Sequence, residues 1–411
     1  MRRGLSFFLL LAPAFALAAL GVLMVTSTTA RHATAIFGDP HHFVVRQLIA
    51  MALGAVAAAA IVRAGPTRVL HVAPIIFFAA LLAALAVFVP GIGVRAAGAR
   101  RWLHVGALSG SPAPILTVAV ALIISAWGRD AIDAGDSPRP PLVAAAGGDP
   151  PPDGDATTAG AKTAAADPGT GAATDALPRR TLSLAMAFIA VLALVVEPDF
   201  SAAAIATAVG LAALAGLGFR GRRLVPAAAA LVLALALVAS QFGYVSSRLH
   251  GFAAPERDRR GKGFEVLALA HATASATASG AGLGHGEARR RLSSPGSDYV
   301  FAIVPGEMGK TVARGVIVAW LSIAVAAALA AQRLGDRRLR ALALSSGLAI
   351  VAPAALHIAV CTGLVPIIGV TMPLVSYDPA ATLAAGAELG LIASIVLQAP
   401  GRRAPELAGT G

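Results

Sequence analysis

Cysteine and charge are scarce in this sequence, and asparagine is missing altogether. A single cysteine, Cys361, in 411 residues cannot form an internal disulfide. That excludes a disulfide-stapled secreted scaffold and leaves the redox compartment unspecified. Charged residues make up 13% and aromatics 5% of the chain, where soluble domains carry about 25% charged residues. A small soluble enzyme is therefore excluded. A disordered chain is excluded too, because 57% of the residues are apolar. What fills the sequence is Ala, Leu and Val, in stretches of about twenty residues without an ionised side chain, the length that crosses a bilayer's hydrocarbon core as a helix. The composition defines an all-α, multi-pass membrane protein.

A basic start, Arg2-Arg3, precedes an apolar run from Leu5 to Val25. The run is longer than the apolar region of a cleaved signal peptide, about 7–15 residues, so it reads as a first, uncleaved span. Further apolar stretches lie at 43–62, 69–89, 114–128, 182–196, 201–219, 224–243, within 299–331, and at 341–361 and 379–398, about ten spans with both termini cytoplasmic. On that topology every inner segment is basic: Arg63 and Arg68, Arg179 and Arg180, Arg220, Arg222 and Arg223, Arg333 to Arg340, and Arg402 and Arg403. The positive-inside rule accounts for this. The net charge of +12 is thus read as membrane topology, with no nucleic-acid partner.

The expected organisation is spans 1–4 in residues 1–128, an insertion at 129–180, spans 5–7 in 181–243, a long outer loop at 244–298, spans 8–10 in 299–400 and a cytoplasmic tail at 401–411. The insertion is rich in Ala, Gly, Pro, Asp and Thr, and buries too little to offset its ordering entropy; it is expected to be a disordered cytoplasmic spacer. The outer loop carries Arg248, Arg257, Arg259, Arg260, Lys262 and Arg289 to Arg291, against the sidedness trend. Long loops cross largely regardless of charge, and an anion site at the outer surface is the functional alternative. Its Gly280–Gly286 stretch would let backbone approach a ligand closely.

Two motifs mislead. Gly306-Glu307-Met308-Gly309-Lys310-Thr311 ends like a P-loop, but Val304 stands where the first glycine is required. The glycines of 280–286 lack dinucleotide spacing and follow no strand. No His, Cys and carboxylate cluster has zinc-ligand spacing. The informative residues are acidic and proline-containing segments at span ends: Glu197-Pro198-Asp199, Ser297-Asp298-Tyr299-Val300-Phe301 with Glu307, and the 362–378 segment holding Pro366, Gly369, Pro373, Ser376, Tyr377 and Asp378. Carboxylates at membrane depth are expensive and point to function; at the interface they also cap helices.

These segments, in this order, resemble the FtsW/RodA/SpoVE family of ten-span bacterial membrane proteins. Gly98-Ala99-Arg100-Arg101-Trp102-Leu103 with Gly106 is similar to the family's G-A-R-R-W-I, and Glu197-Pro198-Asp199 to Q-P-D. Arg248-Leu249, Phe252, Pro255, Asp258 and Gly263-Phe264-Glu265 resemble R-L…F…P…D…G-Y-Q. Ser297–Ala302 is similar to T-D-F-I-F-A, Glu307-Met308-Gly309 to E-L-G, and Thr362 to Tyr377 to T-G-L-L-P…S-Y. The departures are specific. Where the family has Q-P-S/A-E-L-x-K this chain has Ser111-Pro112-Ala113-Pro114-Ile115-Leu116-Thr117, losing Glu and Lys; His357 replaces an Asn; and Asp378-Pro379-Ala380-Ala381 replaces G-G-S-S. The chain resembles a divergent member.

The resemblance implies a peptidoglycan glycosyltransferase of the bacterial plasma (inner) membrane that polymerises lipid II in cell division or elongation. It would work with a class B penicillin-binding protein transpeptidase and with membrane lipids, a one-span partner helix docking on small-residue faces such as those of the Ala-rich spans 8 and 9. Asp298 would be the general base; Arg100, Arg101, Arg248 and Lys262 would bind the substrate diphosphate, for which planar guanidinium forks are suited. Glu307, Asp199 and Glu265, with Ser376 and Tyr377, would support the site. The sequence defines no certain cofactor; a divalent cation, Mg2+ or Mn2+, suits a diphosphate but no dedicated ligand set is visible. The alternatives are a catalytically impaired scaffold, which the lost Glu and Lys favour, and a lipid-linked precursor transporter, which would need polar or broken-helix features near the midplane.

Overall fold

The structure, a computed structural model, describes residues 2–96, 99–105, 108–127, 179–219, 221–259 and 261–398. The expected 129–180 insertion, apart from its last two residues, and the 401–411 tail lie outside the described residues. The helices are α1 (Arg2–Phe37), α2 (His42–Ala64), α3 (Pro66–His71), α4 (Ala73–Ala86), α5 (Ala113–Trp127), α6 (Arg179–Val196) and α7 (Phe200–Leu217). They continue with α8 (Gly221–Ser240), α9 (Gly243–Ala253), α10 (Lys262–Ser275), α11 (Ala288–Arg291), α12 (Val300–Gln332), α13 (Arg337–Cys361) and α14 (Pro379–Gln398). Each of the apolar stretches read from the sequence coincides mainly with one helix, except 69–89, which is divided between two. Among the described residues six helices are long and apolar enough to cross a membrane alone; α4, α5 and α6 are shorter, and α8 turns into α9 through a 99° bend.

Local chemistry sets the ends. Asp199 caps α7 by accepting from Ala202 N at 3.1 Å, and Gly218, at φ 101°, closes it in the left-handed conformation. Asp378 caps α14 through Ala381 N at 3.0 Å, with Pro379 in the first turn, where a missing N–H is tolerated.

Two spans differ from expectation. α1 runs on to Phe37 rather than ending near Val25. Its 36 residues make about 54 Å, well over the roughly 30 Å hydrocarbon core. Thr26, Thr28 and Thr29 donate to carbonyls four residues back, so their hydroxyls are satisfied inside the helix and α1 continues to Arg31 and His32 beyond them. The expected 69–89 span is split into α3 and α4 at Val72, just ahead of Pro74. A three-stranded antiparallel sheet, unexpected in an all-α reading, holds the Arg-Arg-Trp segment: β1 (Gly93–Ala96), β2 (Ala99–Val105) and β3 (Leu108–Gly110), with Val94 opposite Trp102 and Leu103 opposite Gly110.

Close packing depends on small residues. A Cβ on Gly386 of α14 would sit 2.5 Å from Gly54 Cα of α2, and one on Gly390 would sit 2.6 Å from Ala58 Cα. The two helices therefore meet backbone to backbone along a small-x-x-x-small face on each. Buried Phe77, Leu116, Ile123, Ile303 and Ile323 fill the centre of the bundle.

Candidate functional site

α12 is interrupted at Gly309 (φ 91°, ψ 160°), with Pro305 one turn earlier. The glycine-rich loop supplies the partners that the break frees: Ala281 N donates to Gly306 O and Gly282 N to Glu307 O, both at 2.9 Å, and Lys310 N donates to Thr277 O at 3.0 Å. A Cβ on Gly280 would meet Glu307 O at 2.4 Å. The close backbone approach that these glycines allow is therefore to the chain's own α12, rather than to a ligand.

That packing turns the loop so that Ser297 and Asp298 stand at the start of α12, facing the 362–378 segment. Ser376 Oγ donates to Ser297 O at 2.7 Å, accepts from Met372 N at 2.9 Å, and Tyr377 N donates to Gly296 O at 2.8 Å. His357, buried in α13, braces the same junction. Its Nε2 accepts from Phe301 N at 3.3 Å and its Nδ1 donates to Val370 O at 2.7 Å, since a carbonyl can only accept. The residue that replaces the family's Asn thus satisfies an otherwise unpaired N–H of α12's first turn.

A cavity of about 340 Å3 opens beside Asp298, and Arg101, Asp199, Arg248, Asp378 and Glu388 share its wall. Arg101 comes from β2 and lies 3.9 Å from Asp199, with both side chains largely shielded (15% and 14% exposed). Its Nε is buried and makes no hydrogen bond, so one donor of the guanidinium is uncommitted. Arg248, on α9, lies over the Tyr244 ring at 5.3 Å, and Tyr244 OH donates to Pro198 O at 2.8 Å. The Glu-Pro-Asp turn therefore positions both arginines. Asp378 Oδ2 accepts from Thr371 at 2.9 Å.

Burial raises the pKa of Asp298 above the ordinary aspartate value, and neighbouring Asp378 adds to the shift; Arg248, a Ser297 hydrogen bond and Arg101 oppose it. Burial raises Asp378 as well. Glu197 is fully buried, neither carboxylate oxygen has a partner, and desolvation with the charge of Asp199 pushes it to about 8. At neutral pH it is protonated, and a neutral carboxyl is close in shape and hydrogen-bonding capacity to the Gln of the family's Q-P-D.

The remaining expected residues stand elsewhere. Arg100 is exposed and does not line the cavity. Lys262 is engaged by Glu265 at 3.0 Å and is also outside the cavity wall. Glu265 accepts from Ser293 and Tyr299, each at 2.7 Å, and contacts none of the arginines. Burial opposes its ionisation, but those bonds and Lys262 outweigh burial and lower its pKa. Glu307 accepts from Ser27 Oγ at 2.6 Å and does not line the cavity that holds Arg101 and Arg248. Tyr377 faces a second cavity. Among the described residues no three His, Cys, Asp or Glu groups converge as a metal site.

The sequence reading singled out Asp378 at a span end but gave it no role in the site, and it missed Glu388. Glu388 is 4% exposed within α14, and a carboxylate in an apolar span was the available signal. It shares the cavity wall with Pro114 and Thr117, which stand where the family has Glu and Lys.

Fold and cavity together define a polytopic helical membrane protein with carboxylates and arginines gathered at one end of the bundle. The chain belongs to the FtsW/RodA/SpoVE family of cell cycle proteins, which matches residues 7–146 and 157–400. It is 27% identical to a probable peptidoglycan glycosyltransferase FtsW of Alkalilimnicola ehrlichii over 399 residues, covering 93% of this chain and 87% of that one. The corresponding protein of Mycobacterium tuberculosis is 26% identical over 400 residues, covering 96% and 68%. Its fold is similar to that of a chain from a peptidoglycan synthase complex that coordinates polymerization and crosslinking, with TM-score 0.66, 19% identity, and 94% and 96% coverage. It also resembles the rod shape determining protein RodA of Thermus thermophilus, with TM-score 0.60, 18% identity, and 95% and 97% coverage.

Proposed function

We propose that this protein is a peptidoglycan glycosyltransferase of the bacterial plasma membrane that polymerises lipid II at its outer face. The observation that carries the reading is the shared cavity: the carboxylate of Asp298 and the guanidinium groups of Arg101 and Arg248 line one space. Asp298 accepts the proton of the acceptor sugar hydroxyl, whose oxygen attacks the anomeric carbon of the donor. The anomeric C–O bond to the diphosphate breaks, and the prenyl diphosphate leaves with the bonding electron pair. Arg101 and Arg248 stabilise the charge that develops on it. Asp199 and Tyr244 act on those arginines and so are positioning residues. The basic segments at the other end of the spans support placing Asp298 outside the cell.

The named relatives are probable glycosyltransferases, which supports the activity; the structurally similar complex coordinates polymerization with crosslinking, which supports a transpeptidase of the class B penicillin-binding type as partner. A catalytically impaired scaffold is the second reading, favoured by Pro114 and Thr117 in the cavity wall where the family carries charge. Lipid II polymerisation by the purified chain with its transpeptidase decides between them. Asp298→Asn, nearly isosteric, should lower turnover by at least about a hundredfold, the lower range for loss of a general base, without altering membrane insertion. Wild-type turnover in that variant would remove Asp298 from the mechanism.

A further inference from the structure

A second and larger space, about 680 Å3, lies on the other side of the Ser297–Asp298 segment. Arg31 and His32 line it from α1, Arg289 and Arg290 from α11, and no carboxylate does. The Asp298 cavity, by contrast, carries four carboxylates with its two arginines. The wall between the spaces is specific. Ser294 and Ser297 line both, Tyr377 lines only the second, and Asp298 and Asp378 line only the first. Ser376 and Tyr377 are hydrogen-bonded to Ser297 and Gly296, so the partition is a paired stretch of backbone rather than a gap between loose loops.

One arginine of this space is held in place and two pair with no acid among the described residues. Arg289 is fixed by donating to Ser27 O at 2.6 Å and Gly284 O at 2.7 Å. Arg31 and Arg290 are exposed and pair with no carboxylate among the described residues, whereas neighbouring Arg291 is taken up by Glu287 at 3.4 Å. Phe43 closes one side, stacked near His32 and in edge contact with Tyr377 at 4.9 Å. Tyrosine, with an apolar ring and a polar tip, is enriched at the headgroup level of a bilayer, and Tyr377 lines this space. Glu307 and Glu265 stand behind the wall, bonded to Ser27 and Ser293, so the charge presented into the space itself is positive, and at that level it selects a polyanionic headgroup.

We infer that the Arg31–Arg290 space binds the diphosphate of a second prenyl-linked saccharide, the acceptor, while Arg101 and Arg248 hold the diphosphate that leaves. This rests on the polymerase reading above: joining two lipid-linked sugars brings two diphosphates to the protein, and only one is expelled. The acceptor keeps its phosphate ester intact on the far side of the partition, and its sugar reaches over Ser297 to Asp298. The second site therefore binds and orients, and makes or breaks no bond.

Calorimetric titration of the full-length chain in detergent with farnesyl diphosphate tests the assignment. Wild type should take up two equivalents; Arg31→Gln/Arg290→Gln should take up one, and so should Arg101→Gln/Arg248→Gln. In polymerisation assays Arg31→Gln/Arg290→Gln should raise the lipid II KM by about tenfold or more with kcat little changed, the pattern for lost ground-state binding. Both arginines are exposed, so thermal stability should be unaltered. Displacement of farnesyl diphosphate from this site by equimolar phosphatidylglycerol would mean a general phospholipid headgroup site and would overturn the acceptor assignment. One equivalent in wild type, abolished by Arg101→Gln/Arg248→Gln, would remove the second site yet leave the base reading untouched. Two equivalents alongside an active Asp298→Asn variant would instead sink the base and keep the site.

Discussion

Asp199 Oδ1 stands 3.9 Å from Arg101 Nη1 while the same oxygen accepts from Ala202 N at 3.1 Å. One carboxylate therefore both starts α7 and ties the β2 strand to the bundle. The pair is too long for a good hydrogen bond, and Arg101 keeps a buried, unpartnered Nε. An arginine held by charge but not saturated by hydrogen bonds is ready to take a stronger anion. Replacing Asp199 with Asn should keep the cap, because Asn is an equally good cap residue, but should release Arg101. We expect a reduced kcat with normal thermal stability; loss of stability with normal kcat would show that the pair is structural only.

With Asp298 as the proposed base, its ionisation sets the pH dependence of turnover. A general base works only when ionised, and burial raises its pKa, so activity should fall on acidification at a pH above the roughly 3.9 of a free aspartate. Arg248 is the first of the opposing influences. Arg248→Gln should therefore move the acidic limb of kcat/KM further up, in addition to lowering the plateau. Polymerisation rates from pH 4 to 8 (an assay range set by the roughly 3.9 reference) measure both effects. An unmoved limb would separate Arg248 from Asp298.

Glu197 makes the opposite kind of prediction, one of stability. Its folded-state pKa of about 8 exceeds the ordinary 4.5, so between these values the folded chain holds a proton that the unfolded chain has released. Stability then declines as pH rises through that window and levels off above it. Glu197→Gln removes the dependence. The variant should match wild type near pH 5 and melt at a higher temperature near pH 9, by up to a few kcal/mol in stability terms. Parallel melting curves across pH would mean that Glu197 finds a partner.

Much of this was legible in the sequence, for reasons that differ by element. Apolar length placed the helices, because a bilayer leaves no other way to satisfy the backbone. Arg101, Asp199, Arg248 and Asp298 were chosen by their place at span ends and by resemblance, and they line one cavity. Lys262 and Glu265 were equally visible but neutralise each other three residues apart on α10, a pairing that a list of charges does not reveal. The glycines at 280–286 were read as ligand-facing, when their need for space comes from the break at Gly309. The sheet at 93–110 was hidden by a site motif with no strand-like alternation. Glu388 was overlooked inside an otherwise ordinary apolar run.

Glu265 is the hub that holds the loop before Asp298, receiving Lys262, Ser293 and Tyr299. Because hydrogen bonds lower its pKa, its contribution is present above the ordinary carboxylate range and lost as pH falls through the lowered value. Glu265→Ala strands a buried Tyr299 hydroxyl, a loss of about 1–3 kcal/mol. Proteolysis of the 276–298 loop should accelerate in that variant. Tyr299→Phe, which removes only one partner, should have a smaller effect.

The contact between α2 and α14 bears on catalysis from a distance, since α14 begins at the Asp378 cap and carries Glu388 into the cavity. With no hydrophobic drive between helices in lipid, their association depends on close van der Waals approach. Gly386→Leu would place side-chain atoms where Gly54 already lies 2.5 Å from the first added carbon. The helices must part, or α14 must rotate and carry Asp378 and Glu388 out of the cavity wall. We expect a loss of about 1–3 kcal/mol, the scale of overpacked cores, together with loss of turnover. Gly386→Ala adds only the first carbon and should fall between wild type and Gly386→Leu in both measures. Pairing Gly386→Leu with a change at Gly54 cannot restore packing, because glycine is already the smallest residue there. Detergent-resistant melting and lipid II polymerisation, measured on the same preparations, should therefore fall together; a melting loss with full turnover would free the cavity from the α2–α14 seam.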